Sequence, residues 1–160
     1  MTVELKAKKV SESATEQIRM INYSDINGYG RLFGGKLLAW IDEIAAATAR
    51  RHSGCNVITA AIDNLQFKSG AYPNDMIVLI GKVTHVGNTS MEVRVDTYLE
   101  DCKGTRRPIN RAYFVMVAID ENDKPTAVPG LILENDGERM EWNNAARRRE
   151  LRLNRRLEGY

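Results

Sequence analysis

An acid on the apolar side of a helix is the first chemically suggestive feature of this sequence. Residues Asn27 to Gly35 read Asn-Gly-Tyr-Gly-Arg-Leu-Phe-Gly-Gly, a loop with four glycines, and they run directly into Lys36-Leu37-Leu38-Ala39-Trp40-Ile41-Asp42-Glu43. On a wheel that advances about 100° per residue, Ile41, Ala45 and Ala49 fall within roughly 60° of Leu38, and Lys36, Glu43, Arg50 and Arg51 fall opposite. Asp42 lies about 40° from Leu38, inside the apolar stripe. A carboxylate there is costly unless it is paired, hydrogen-bonded or protonated. Two readings follow: Asp42 caps a neighbouring element or meets a buried Arg, or it does chemistry. Glu43 is expected to be a solvated partner of Lys36 or Arg50. The glycines either serve the turns or let a ligand approach free N–H groups at the positive end of the helix.

The motif N-x-x-G-x-x-F-G-G-x-x-x-x-x-x-D over Asn27 to Asp42 resembles the signature of the acyl-CoA thioesterase branch of the hot-dog fold superfamily. The resemblance runs from about Glu16 to Pro129. It also covers Thr59-Ala60, Phe67-Lys68, Val86-Gly87-Asn88-Thr89-Ser90-Met91 and the strand ending Val117-Ala118-Ile119-Asp120. It implies hydrolysis of an acyl-CoA thioester to a free acid and coenzyme A, with no metal or redox cofactor and coenzyme A only as part of substrate and product.

A thioester carbonyl gains negative charge as it is attacked, and N–H groups at a helix start stabilise that charge without reorganising. The resemblance gives this oxyanion role to Gly34 first and Gly35 second. It makes Asp42 the general base or the nucleophile, and the sequence does not choose between the two. Asn27 is expected to hydrogen-bond the attacking water or the substrate, and Thr59 to stand near the acid as a secondary residue. Gly87, Asn88, Thr89 and Ser90 resemble the turn that contacts the pantetheine or nucleotide part of coenzyme A; read locally, they are a hairpin turn. Lys68 and Arg106 are candidates for phosphate contact, with ordinary surface charge as the alternative. Family sites of this kind form between two subunits, so Asn27 and Asp42 are expected to act across a dimer, with assembly into tetramers or hexamers.

These residues need a scaffold. Thr15 to Asn22 reads as a first strand, with Ile18, Met20 and Asn22 on one parity. Phe33 to about His52 reads as the one long helix, stopped at Gly54. Strands are expected at Asn56–Phe67, Met76–Val86, Met91–Glu100 and Ile109–Asp120, with turn residues between them. In the third, Met91, Val93, Val95, Thr97 and Leu99 alternate with Glu92, Arg94, Asp96, Tyr98 and Glu100, predicting one core face and one wet face. The last is apolar on both parities from Tyr113 to Ile119, as in a central or covered strand. The order predicts an α+β hot-dog domain, an antiparallel sheet of about five or six strands wrapped around one helix. The domain spans 15–135. Residues 1–14 are expected to be a loose arm, and 136–160 a basic tail, helical over about 138–157.

The chain as a whole narrows the alternatives. Its 160 residues suffice for one domain with a real core, and 43% hydrophobic and 28% charged residues are ordinary for a globular protein. No apolar run reaches the about 18 residues of a membrane span, and no leader is evident at the start, so a cytoplasmic location without membrane partners is expected. Six of the 23 basic residues and two of the 21 acidic ones lie in 145–160, which leaves a slightly acidic body and argues against a general nucleic-acid surface. The tail reads as a solvated or subunit-docking helix, or as a source of arginines for the phosphates of a nucleotide-bearing ligand. Cys55, Cys102, His52 and His85 form no metal constellation or nucleophile pair. His52 is expected to complement the helix dipole and His85 to be a structural histidine. A non-catalytic acyl-CoA sensor and another hot-dog enzyme, such as a hydratase, remain as alternatives.

Overall fold

The computed structural model describes residues 5–63 and 65–160, which begin with a short strand, β1 (Lys8–Lys9), and a single-turn helix, α1 (Val10–Ser13). Strand β2 (Thr15–Met20) and a 3-10 turn at Tyr23–Asp25 lead into the long helix α2 (Gly34–Ser53). Strands β3 (Asn56–Asp63), β4 (Met76–Val86), β5 (Ser90–Glu100) and β6 (Arg106–Ile119) follow, then β7 (Leu131–Ile132) and helix α3 (Asp136–Glu158). The five longer strands form one antiparallel sheet in the order β2-β4-β5-β6-β3, while β1 pairs in parallel with β7. This is the α+β hot-dog architecture.

Helix α2 forms because its apolar residues recur at helical spacing. It ends because Gly54 adopts a left-handed φ of 72° and returns its N–H to the Arg50 carbonyl. Its ridge of Leu37, Trp40, Ile41, Ile44, Ala45, Thr48 and Ala49 is buried against the inward residues of the sheet, among them Leu79, Val93, Val95, Phe114 and Met116. Helix and sheet approach closely at Gly81. A Cβ there would overlap Thr48 Oγ1 and lie 2.9 Å from both Ile44 Cγ2 and Thr15 Oγ1.

Several expected boundaries shift. The first strand stops at Met20 because Asn22 begins the 3-10 turn, and Ile18 and Met20 point away from the helix and are exposed. Strand β3 stops at Asp63 rather than Phe67, and β6 begins at Arg106, where it still pairs with Glu100. Residues 8–13, expected to be loose, form β1 and α1, with Val10 and Ser13 buried. The polar face of β5 is not wet throughout: Glu92 and Asp96 are 4% and 6% exposed, because arginines neutralise them and α3 lies over that face. His52 does not complement the helix dipole as a cation. It is fully buried, its Nε2 sits 3.0 Å from the Pro129 carbonyl, and burial pushes its pKa down, keeping it neutral.

Candidate active site

Asp42 lies on the flank of α2, not within its buried ridge. Leu38 is only half-buried, and the sheet packs around Ile41, Ile44 and Ala45 instead. Gly34, Leu38, Asp42 and Ala46, spaced four apart, therefore form a half-buried seam. Strand β3, at the edge of the sheet, supplies the other side of the seam. Its Thr59 hydroxyl donates to Asp42 Oδ1 at 2.7 Å. Thr59 adjoins a register shift between Thr59 and Ala61, and its hydroxyl also lies 3.6 Å from Met116 Sδ. Among the described residues no Lys or Arg forms an ion pair with Asp42. The carboxylate is thus oriented by one neutral donor and keeps its other oxygen for a reactant. Glu43 pairs with Arg19 rather than Lys36 or Arg50, and Lys36 reaches Asp25 at 3.5 Å.

The loop ahead of α2 is pinned by its own backbone. Asn27 donates to the Arg31 carbonyl at 2.7 Å, Leu32 N–H reaches the Ala71 carbonyl, and Phe33 N–H reaches the Asp25 carbonyl. Asn27 Oδ1 accepts from the N–H groups of Tyr29 (2.9 Å) and Arg31 (3.3 Å). That leaves the Asn27 side-chain amide as a donor. Gly30, with φ of 74°, permits the tight turn that this pattern needs. At the helix start Phe33 provides no side-chain cap, and the first N–H groups of a helix have no intrahelical acceptor. A Cβ on Gly35 would stand 2.7 Å from the exposed Phe33 ring, which would have to turn aside.

A cavity of about 330 Å³ joins part of this machinery: Asn27, Gly34, Leu37, Phe67, Lys68 and Ile109 line it. Lys68 therefore belongs with Asn27 and Gly34, whereas Asp42 and Thr59 face the seam. Phe67 was not among the expected site residues, yet its ring would sit 3.5 Å from a Cβ on Gly34. In the sequence it is marked only by the resemblance at Phe67-Lys68 and as the end of an expected strand. Arg106 does not reach a ligand turn. It is committed to Glu100 (2.6 Å) and Glu16 (3.0 Å), and it pairs in register ten residues along β5 from Ser90, about 33 Å away.

Residues Gly87 to Ser90 form the β4–β5 turn, closed by Gly87 N–H to the Ser90 carbonyl at 2.8 Å. The turn lines a second cavity, of about 340 Å³, together with Arg149, Arg152 and Arg156 of α3. Helix α3 buries only Ala145 and is latched to the sheet by ions: Arg148 to Glu92 at 2.7 Å and Arg152 to Asp63 at 2.5 Å. His85 faces the same cavity and packs against Trp142 with ring centroids 4.1 Å apart and planes tilted by 37°. Burial pushes its pKa down, Glu92 opposes the shift, and Arg149, Arg148 and Arg152 add to it. Among the described residues no cluster of His, Cys, Asp and Glu has metal-ligand geometry. No described helix is long and apolar enough to cross a membrane.

Residues 29–105 match the model of the thioesterase superfamily. The chain is 38% identical over 133 residues to an uncharacterized acyl-CoA thioester hydrolase of Bacillus subtilis (strain 168), covering 82% of this chain and 77% of that protein. Rat and mouse cytosolic acyl coenzyme A thioester hydrolases also match, and the chain spans 40% of their length. An apo-hexameric acyl-CoA thioesterase superposes with a TM-score of 0.90 at 41% identity, over 94% of this chain and 97% of that one. The acyl-CoA hydrolase of Staphylococcus aureus, solved with butyryl coenzyme A and coenzyme A, gives 0.89 at 36% identity, over 95% and 93%. That enzyme has also been solved with alanine replacing an asparagine, an aspartate and a threonine that are spaced 15 and 17 residues apart.

Proposed function

The chain belongs to the acyl-CoA thioesterase family of the hot-dog fold and is a thioester hydrolase; from that premise we propose that it hydrolyses acyl-CoA at a site built around Asp42. The observation that carries the assignment is the Asp42 carboxylate, held by the Thr59 hydroxyl at 2.7 Å and half-buried beside an edge strand. Asn27, Asp42 and Thr59 are 15 and 17 residues apart, the spacing of the three residues replaced in the S. aureus hydrolase.

The reaction consumes only thioester and water. In the general-base route Asp42 takes a proton from water, the water oxygen bonds to the carbonyl carbon, and the C–S bond breaks. The proton then passes to the departing thiolate. In the nucleophilic route the carboxylate itself attacks, coenzyme A leaves, and water cleaves the resulting anhydride. In both, the carbonyl oxygen becomes negative, and the uncapped N–H groups at Gly34 and Gly35 are its candidate donors. Asn27 is left with an amide donor, which suits it to the substrate carbonyl or the lone pair of the water. Gly34 and Asp42 are eight residues apart, about 12 Å along the helix axis. Two protomers meeting at the seam would close that gap. The edge strand β3, with Ile58 and Ile62 exposed, is the natural joint for such a homo-oligomer. The turn Gly87–Ser90 and Lys68 are assigned to the coenzyme A part of the substrate.

The test is thiol release from a panel of acyl-CoAs, with wild type and Asp42→Ala. Wild type is expected to release coenzyme A, and the variant to keep its circular dichroism while losing at least about a hundredfold in rate. A near-normal rate in the variant removes Asp42 from the mechanism. Binding without turnover, or hydration instead of hydrolysis, overturns the function itself.

A further inference from the structure

At the start of α2 the N–H groups of Gly34 and Gly35 have no acceptor among the described residues. Their neighbours are spent: Phe33 donates to the Asp25 carbonyl, and Lys36 and Leu37 donate to the Phe33 carbonyl. The ring of Phe67 packs directly beside these donors. A Cβ on Gly34 would meet three of its atoms at 3.5, 3.6 and 3.9 Å, ordinary contact distances. The ring is 53% exposed, so burial alone does not hold it there. Strand β6 does, through a bulge. Asn110 pairs with Thr97 and Pro108 with Tyr98, which leaves Ile109 without a partner on β5. The freed Ile109 carbonyl accepts from the Lys68 N–H at 3.4 Å. The side-chain amide of Asn110, only 4% exposed, donates to the Gln66 carbonyl at 2.5 Å. The backbone is thus tied down on both sides of Phe67, and Ile109 turns into the cavity that Phe67 and Gly34 line.

A carbonyl oxygen accepting from Gly34 or Gly35 sits about 2.9 Å from the nitrogen. The sulfur and the α-carbon of the thioester lie two bonds beyond that oxygen, so a ring packed on Gly34 borders one of them. The pantetheine arm carries amides that require hydrogen-bond partners, and the side chains of Leu37, Phe67, Ala71 and Ile109 supply none. An alkyl chain requires none. Lys68 and Ser69 make up a polar part of the same cavity, which suits the coenzyme A arm.

We propose that Phe67 is an acyl-specificity residue of this site: its ring, positioned by Asn110, admits acyl groups with an unbranched α-carbon and excludes those with a substituent there. The proposal rests on the acyl-CoA reading above and narrows the substrate class within it. The two backbone ties keep the ring from yielding to a branch, and the fold gains nothing evident from so exposed an aromatic.

The test compares kcat/KM for butyryl-CoA and isobutyryl-CoA, which have one composition and differ only in branching at the α-carbon. Wild type is expected to favour butyryl-CoA by at least about tenfold, the lower end of what one misplaced methyl group costs in a fitted pocket. Phe67→Ala is expected to shrink that ratio at least about fivefold, chiefly by raising kcat/KM for isobutyryl-CoA. Both proteins meet the same two esters, so intrinsic reactivity cancels from the change in ratio. Asn110→Ala, or Asn110→Thr if the first does not fold, is expected to shrink the ratio too and to add nothing in the Phe67→Ala background. A purely structural Asn110 would lower Tm and leave the ratio alone. No preference in wild type, an unchanged ratio in Phe67→Ala, or an equal change on both esters overturns the proposal, and an unchanged ratio in the Asn110 variant overturns the positioning role. Should wild type hydrolyse neither ester, the functional reading fails. Calorimetric binding of the two esters then decides the role of Phe67. Tighter binding of butyryl-CoA by wild type, lost in Phe67→Ala, supports it; equal binding of both by wild type, or a preference kept by the variant, overturns it.

Discussion

At the scale of single residues, the chemistry depends on how one carboxylate is oriented. Thr59 holds Asp42 Oδ1 by a single hydrogen bond from β3. Thr59→Val keeps the shape and removes the donor. It is expected to lower kcat about fivefold with KM little changed, as a neutral hydrogen bond of about 1 kcal/mol implies. Steady-state kinetics on one acyl-CoA check this, and an unchanged kcat shows that Asp42 needs no such support. Asp42 was legible in the sequence as an acid out of keeping with its neighbours. Its true setting was not, because a wheel gives relative angles and only the sheet decides which angle faces inward. Thr59 had no signal of its own beyond the family resemblance. Phe67 is carried by the same resemblance, but nothing local says that its ring ends against Gly34.

At the scale of elements, the site is only as well placed as α2 is on its sheet. The helix approaches closely where β4 has no side chain, at Gly81, beside the hydrogen-bonded hydroxyls of Thr15 and Thr48. Gly81→Ala is expected to push the helix outward and cost about 1–3 kcal/mol. Thermal unfolding would record this as a Tm lower by about 2–4 °C for each kcal/mol. A variant as stable as wild type means that the contact relaxes freely. The elements themselves were largely legible: helical spacing and Gly54 marked α2, and alternation marked β5. The ends of β2, β3 and β6 were not, because cross-strand pairing sets them. Strand β6 begins where Arg106 still has Glu100 opposite, a partner distant in sequence. The burial of Glu92 was likewise hidden until α3 brought Arg148 to it.

At the scale of the whole molecule, the chain start is tied to the rest through His52, whose Nδ1 lies 3.4 Å from Ser13 Oγ and whose Nε2 meets the Pro129 carbonyl. Burial holds its pKa below the ordinary value. Lys8 adds to the shift, and the Pro129 hydrogen bond and Glu12 oppose it. The unfolded chain therefore takes up this proton first as pH falls. The stability so contributed is complete above about 6.5 and is lost as pH falls from there through the folded-state value. Tm is expected to decline from pH 7 to pH 5, less steeply in His52→Gln; equal slopes would deny His52 that role. His85, also depressed by burial, accounts for part of the slope that remains. Helix α3 hides so little apolar surface that its attachment is chiefly ionic. The joint between α3 and the sheet is therefore one that salt can weaken, unlike the packed joint between α2 and the sheet. Concentrated electrolyte would loosen the exposed contacts first and so open the carboxyl-terminal end to proteases.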